Sequence, residues 1–186
     1  MRIIAGKHRG TALADVGKGD MSAHLRPTSD RVRESLFNML SGGRFGQPVN
    51  GARVLDLFAG TGALGLEALS RGADRVCFIE NGRAGFKLIT KNLAKLRAAE
   101  AATVLTKDAT KLAANPYAPF DLIFLDPPYG KALGEQALSC ARAEGWIAPE
   151  ALVVWEEASP QLPPEGFTLL EHKSYGAAKI TLLRAD

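Results

Sequence analysis

Two short stretches of this chain combine residue types that chemistry can use. One is Asp126-Pro127-Pro128-Tyr129, directly after the apolar run Leu122–Leu125. Consecutive prolines fix φ and donate no N–H, so the carbonyls around them point in set directions. An ionised Asp126 only accepts hydrogen bonds. Its carboxylate and the Pro127 carbonyl can together accept both hydrogens of an exocyclic NH2 group, which localises the nitrogen lone pair for attack. Tyr129 offers a ring for a base to stack on, a contact worth about 1–3 kcal/mol. Chemistry on a base also requires that base to be unpaired or flipped out. Asp-Pro is equally a common turn dipeptide, so the tetrapeptide by itself can simply end a strand.

The other stretch is Asp56-Leu57-Phe58-Ala59-Gly60-Thr61-Gly62-Ala63-Leu64-Gly65. Glycines at 60, 62 and 65 have the spacing of a nucleotide-binding turn, where the backbone approaches a ligand closely and bends into a helix. Glu80 follows Gly60 by 20 residues, at the end of the next apolar run, and can accept from both hydroxyls of a ribose. Asp108, after the third such run, can accept from an adenine amine. Glycines also occur where a helix merely crosses a strand. The order of strand, turn, helix and acid therefore carries the nucleoside reading. Asp56 lies beneath the turn, an awkward place for a diphosphate. It suits a ligand with a cationic amine and a sulfonium, because opposite charges attract strongly where water is excluded. S-adenosylmethionine has both. The chain contains no Gly-x-x-x-x-Gly-Lys-Ser/Thr stretch, which excludes a P-loop nucleotidase.

Alternating elements must hold these corners. Apolar strands are expected at Arg53–Phe58, Arg75–Glu80, Thr103–Thr106, Phe120–Leu125 and Leu152–Trp155. Helical patterns lie between them: from the glycine turn to about Arg71-Gly72, at Arg83–Leu96, at Ala109–Ala114 and at Ala132–Arg142. Such alternation gives a parallel sheet covered on both faces, with ligands outside the carboxyl ends of its strands. Both corners then open on one crevice. Upstream, Arg2-Ile3-Ile4-Ala5 and Thr11-Ala12-Leu13-Ala14 flank a turn whose tip carries Lys7, His8 and Arg9, which suggests a small hairpin. A helix is expected from about Ser29 to Leu40, with Val32, Leu36 and Leu40 inward and Arg31 and Arg33 facing solvent or a ligand. Phe167–Lys173 and Lys179–Arg184 around Tyr175-Gly176 predict a terminal antiparallel hairpin.

The composition fits one soluble domain. The chain has 186 residues, 46% hydrophobic and 23% charged, which excludes a disordered or collagen-like chain. Its net charge is +3, and residues 1–40 carry seven basic against four acidic side chains. That local excess favours polyanions. Cys77 and Cys140 lie far apart with no Cys-x-x-Cys or Cys/His ligand spacing, so neither a metal site nor a disulfide framework is expected. Both read as small hydrophobes in a reducing cytosol. MRIIAGKHRG is not a signal peptide, and the longest apolar stretch is too short to span a bilayer. A cytoplasmic protein, without membrane association and monomeric, is expected.

These motifs resemble a known family. Asp56-x-x-Ala59-Gly60-Thr61-Gly62 together with Asp126-Pro127-Pro128-Tyr129 is similar to class I methyltransferases that act on exocyclic amines. Arg2–Gly6 with Arg9-Gly10, Arg26–Asn38 and Gly62–Gly72 sharpen the likeness to bacterial small-subunit ribosomal RNA guanine-N2 methyltransferases, over nearly the whole chain. The resemblance implies a Rossmann-like, mostly parallel sheet of seven strands with the last one antiparallel. A small N-terminal hairpin and loop (1–27) would precede the methyltransferase domain (28–186). It implies methyl transfer from S-adenosylmethionine to N2 of a guanine in 16S RNA, on a partly or fully assembled small subunit. By position, Asp56, Gly60 and Gly62 would bind the methionine part, with Phe58, Ala59 and Thr61 completing the turn. Glu80 and Asn81 would bind the ribose side, and Asp108 and Ala109 the adenine. Asp126, Pro127, Pro128 and Tyr129 would be the catalytic corner, with Asp126 also bordering the cofactor. Arg2, Lys7, Arg9, Arg26, Arg31 and Arg33 would contact RNA. One position departs from the family pattern: Gly82 stands where an Asp or Asn usually follows the ribose acid.

Other readings share parts of this pattern. A DNA adenine-N6 methyltransferase uses the same Asp-Pro-Pro-Tyr logic but would leave only about 50 residues for target recognition, less than a dedicated domain usually needs. A protein-glutamine methyltransferase would not need the basic N-terminus. A non-catalytic RNA-binding module would not need Asp126 or Tyr129, and a dinucleotide oxidoreductase would bind NAD.

Overall fold

The computed structural model describes residues 1–14 and 30–186. After helix α1 (Asp30–Ser41), strands and helices alternate: β1 (Arg53–Leu57), α2 (Ala63–Ser70), β2 (Arg75–Ile79), α3 (Arg83–Leu96), β3 (Ala102–Leu105), β4 (Phe120–Leu125), α4 (Leu133–Ala143) and β5 (Ile147–Glu157). The chain closes with β6 (Phe167–Tyr175) and β7 (Ala178–Ala185). All seven strands form one sheet ordered β3-β2-β1-β4-β5-β7-β6. β1 to β5 run parallel, and β7 inserts antiparallel between β5 and β6.

The central strands are apolar on both faces because both faces are covered. Val54, Leu66, Phe78, Ile89 and Phe124 pack into one core with α1, α2 and α3. Leu55, Ile79, Ile123, Leu138 and Trp146 pack into the other with α4. The chain leaves β1 toward β2 on one side and returns to β4 on the other. The carboxyl ends of β1 and β4 therefore flank the point where strand order reverses, the usual ligand crevice of such sheets.

α2 is buried at every residue. The sheet covers its inner face, and the N-terminal segment covers the outer one. That segment is the expected hairpin in reduced form, with one antiparallel bridge between Arg2 and Ala12. We call residues 1–14 the arm. Its backbone would be left unsatisfied against an apolar helix, and α2 supplies the partners. Glu67 accepts from Ile4 N (2.8 Å) and Ala5 N (3.0 Å), and the Ser70 carbonyl and hydroxyl accept from Lys7 N (2.8 Å) and His8 N (3.0 Å). Gly6 (φ +80°) is required there, since a Cβ would lie 1.7 Å from the Ser70 carbonyl oxygen. At its far end, Ala14 N donates to Asn92 Oδ1 of α3 (2.7 Å).

Two expectations are corrected by the structure. No helix forms over Ala109–Ala114. Asp108 instead caps a single turn, with Oδ1 accepting from Thr110 N (2.9 Å) and Thr110 Oγ1 (2.7 Å). The backbone beyond it bonds outward, Ala113 O accepting from Trp146 Nε1 (2.8 Å) and Asn115 N donating to Glu144 O (2.8 Å). Arg33 does not face solvent. It is 0% exposed, donates to Asp30 Oδ1 at 2.8 Å and to the Arg2 carbonyl, and sits 3.7 Å from Glu67 Oε2. The arm closes over the helix face that a helical wheel assigns to water.

Candidate active site

The register of β1 and β4 brings the two corners together. Leu57 pairs with Leu125, so the glycine turn and the Asp-Pro-Pro-Tyr corner leave neighbouring strands at the same level, about 4.8 Å apart. A long 3.5 Å contact from Asp126 N to the Leu57 carbonyl joins them. Asp126 is half-buried, Pro127 buried, Pro128 exposed.

The turn is built around strained backbone. Phe58 adopts φ +59°, a conformation that costs a non-glycine residue about 1–3 kcal/mol and is concentrated at functional sites. Gly60 (φ +56°) and Gly62 (φ +77°) follow. A Cβ on Gly62 would press Ile89 at 3.0 Å and Phe78 at 3.3 Å. Ala59 is buried, and Thr61 donates from Oγ1 to Met1 Sδ of the arm (3.6 Å).

Asp56 is 2% exposed and accepts from Gly65 N (2.9 Å), holding the first turn of α2 from below. Burial pushes its pKa up to about 8, against the pull of the Gly65 N–H and with help from the charge of Glu80. Glu80 bridges the turn and the start of α3. Oε2 accepts from Gly60 N (2.7 Å) and Oε1 from Gly82 N (2.6 Å). Burial raises its pKa, and those two N–H groups oppose the rise. Each oxygen keeps acceptor capacity, so ribose hydroxyls can still bond to it. Gly82 now has a physical reading: a Cβ there would lie 2.7 Å from Glu80 Oε1. The backbone N–H of residue 82 serves Glu80 directly, and Asn81 is exposed beside it.

Asp108 is half-buried, with its pKa lowered by the Thr110 hydroxyl and then the Thr110 N–H. Ala109 is buried and its side chain belongs to the core. Tyr129 is 36% exposed, and its hydroxyl donates to Glu156 Oε1 at 2.9 Å. Burial first, then the Glu156 charge, raises the Tyr129 pKa. Glu157 accepts from Gly130 N (3.1 Å) and Ala158 N (2.8 Å), which pins the loop after the corner.

Glu156 and Glu157 were not singled out from the sequence. Their signal was available: β5 is parallel to β4, so an acidic pair at its carboxyl end falls beside the Asp-Pro-Pro-Tyr corner. Gly85 was also missed. A Cβ there would meet Glu80 Cγ and the Gly60 carbonyl at 2.7 Å, so α3 can start under the turn only with glycine.

Of the residues expected to touch RNA, Arg2, Lys7, Arg9 and Arg31 are exposed, Arg33 is structural, and Arg26 lies outside the described residues. Cys77 is buried and its pKa is pushed up to about 12, mainly by burial, which makes it an inert thiol. Among the described residues no cluster of three or more His, Cys, Asp or Glu side chains could hold a metal ion. No described helix is long and apolar enough to cross a membrane.

The carboxyl ends of the parallel strands carry acceptors: Glu80 after β2, Asp108 beyond β3 and Asp126 after β4, with the buried Glu156 of β5 behind Tyr129. That donor-seeking set fits a ligand carrying an ammonium, a sulfonium, ribose hydroxyls and an amine, and opposes a diphosphate. Sheet order, a glycine turn bound by Glu80 and the neighbouring Asp-Pro-Pro-Tyr corner define a class I methyltransferase that uses S-adenosylmethionine. The family described as Conserved hypothetical protein 95 matches residues 1–184. Ribosomal RNA small subunit methyltransferase D of Haemophilus influenzae is 38% identical, over 98% of this chain and 92% of its own. Its Escherichia coli K12 counterpart is 39% identical, over 100% and 90%. The solved structure of Escherichia coli yhhF, provisionally a methyltransferase, superposes with a TM-score of 0.83 at 38% identity, covering 100% of this chain and 98% of that one. The chain belongs to the family of the small-subunit ribosomal RNA methyltransferases D.

Proposed function

We propose that this protein methylates the exocyclic N2 amine of one guanine in 16S RNA of the small ribosomal subunit, using S-adenosylmethionine. The observation that carries the reading is the β1–β4 register, which sets the Asp-Pro-Pro-Tyr corner beside the glycine turn. When bound, S-adenosylmethionine supplies an electrophilic methyl on a cationic sulfur. Gly60, Gly62 and the supporting Asp56 shape the seat of its methionine part, Glu80 takes the ribose, and Asp108 takes the adenine amine.

Asp126 and the Pro127 carbonyl accept the two hydrogens of the guanine amine and aim its lone pair at the methyl. The Tyr129 ring, held by Glu156, stacks on the base. Catalysis is mainly positioning and hydrogen bonding, so no covalent enzyme intermediate is required. An aryl amine is too weak an acid to be deprotonated first. Asp126 takes the proton after the methyl has moved. Arg2, Lys7, Arg9 and Arg31 contact RNA phosphates, and such a substrate places the work in the cytoplasm. The test is to incubate unmodified small subunits with labelled cofactor and digest the RNA to nucleosides. Label in N2-methylguanosine is expected. Label in N6-methyladenosine, or none, would refute the assignment.

A further inference from the structure

The summed charge of the chain hides a strongly basic helix. Residues 83–97 hold Arg83, Lys87, Lys91, Lys95 and Arg97 and no acidic residue. All five are exposed. Arg83, Lys87, Lys91 and Lys95 recur every fourth position along α3. Each step rises about 6 Å and turns about 40° on the helix surface, so the row spans about 18 Å and winds across the outer face. The other helices differ: α1 mixes Asp30 and Glu34 with Arg31 and Arg33, and α4 mixes Glu135 with Arg142.

An ordinary solvated face alternates signs, because opposite charges at i,i+4 support a helix and like charges there weaken it. α3 has three successive like-charge pairs, and among the described residues none of its cations is in an ion pair. The row thus stands against local helix stability. Its two ends are informative. Arg83 follows the Gly82 that bonds Glu80, at the edge of the crevice. Lys95 donates to the Ala12 carbonyl of the arm, whose own cations Arg2, Lys7 and Arg9 are exposed and which also lacks acidic residues. One cationic surface therefore runs from the crevice along α3 and onto the arm.

We propose that the outer face of α3 binds backbone phosphates of the substrate RNA, in register with the arm and leading into the crevice. This rests on the ribosomal RNA reading above. One guanidinium and three ammonium groups spaced along a helix fit a phosphate backbone, and phosphate contacts carry no base information, so the surface orients the RNA and does not choose the guanine.

The experiment compares wild type, Arg83→Gln/Lys87→Gln/Lys91→Gln, and a control, Arg75→Gln/Arg142→Gln, two exposed cations at the start of β2 and the end of α4, away from the carboxyl ends of the strands. Affinity for protein-free 16S RNA and for unmodified small subunits is measured across a salt series, with S-adenosylmethionine affinity and Tm alongside. The triple variant should bind both substrates at least tenfold more weakly at low salt. Its slope of log K against log salt should be smaller by about 2, since each lost phosphate contact removes about 0.7–0.9. Its cofactor affinity should be unchanged, and its Tm equal or higher because like charges have been removed. The control should match wild type. Equal affinity and slope for wild type and triple variant would overturn the proposal while leaving the proposed function standing. A loss confined to assembled subunits, with free RNA bound normally, would also overturn it, because the partner would then be a ribosomal protein. A wild type that binds no RNA would remove both.

Discussion

Glu67→Gln should release the arm from α2. Glu67 is 0% exposed, and its carboxylate accepts from Ile4 N (2.8 Å), Ala5 N (3.0 Å) and Arg71 Nε (2.7 Å), with Arg33 Nε at 3.7 Å. Glutamine keeps the shape but offers one acceptor oxygen and turns an NH2 toward a donor. One backbone N–H of the arm is then left facing another donor, and the buried Arg33 loses its fully buried counter-charge. Breaking one partner of a buried pair costs about 3–5 kcal/mol. Asp30 still neutralises Arg33 from 2.8 Å, with its own side chain 40% exposed, so the lower end applies. A loss of about 3 kcal/mol should lower Tm by about 6–12 °C for a domain of this size. Urea unfolding and calorimetry measure it, and hydrogen exchange should show the Ile4 and Ala5 amides opening first. A loss below about 1 kcal/mol, or unchanged exchange at those two amides, would refute the claim that Glu67 anchors the arm.

Other substitutions probe separate links. Gly6→Ala places a Cβ 1.7 Å from the Ser70 carbonyl oxygen, whereas Gly10→Ala meets no atom within 4 Å. We expect denaturant curves to show about 2–4 kcal/mol lost at Gly6 against about 1 kcal/mol of left-handed strain at Gly10. Asp56 has a folded pKa raised to about 8, so the folded state holds more protons than the unfolded one between about pH 4 and 8. Stability from this group therefore falls as pH rises through that window. Asp56→Asn should gain stability relative to wild type at pH 8 compared with pH 5, checked by urea midpoints at both values. Tyr129→Ala removes the stacking ring and should lower kcat/KM about 10–100-fold with cofactor affinity retained. Glu156→Gln, which leaves the ring but weakens its anchor, should have a smaller effect of the same kind.

Much of the fold was legible in the sequence because local pattern and final environment agree. α3 begins at Arg83 and ends at Leu96 as its apolar period predicts, and β4 spans the same six residues that read as a strand. The placement of the glycine turn, Glu80 and the Asp-Pro-Pro-Tyr corner was visible because spacing along alternating elements sets it. What was not legible depends on tertiary cover. Arg33 sits on a helix face that packs against the arm and Glu67 of α2, and nothing local in Arg31-Val32-Arg33 announces that. The Ala109–Ala114 segment has helical composition, but Asp108 closes a turn and Trp146 and Glu144 take the backbone elsewhere. Glu156 becomes a site residue only once β5 is known to lie beside β4. Net charge by segment concealed the cations of α3, because acidic residues elsewhere in the chain cancel them.

Asp126 carries the central claim, that the amine-accepting corner and the nucleoside turn serve one transfer. The direct measurement is single-turnover methylation of unmodified small subunits by Asp126→Ala and Asp126→Asn, with S-adenosylmethionine affinity determined calorimetrically on the same preparations. Both variants should bind cofactor within about threefold of wild type, under 1 kcal/mol, yet transfer no detectable methyl to guanine. Methylation by Asp126→Ala at a rate near wild type would contradict the account.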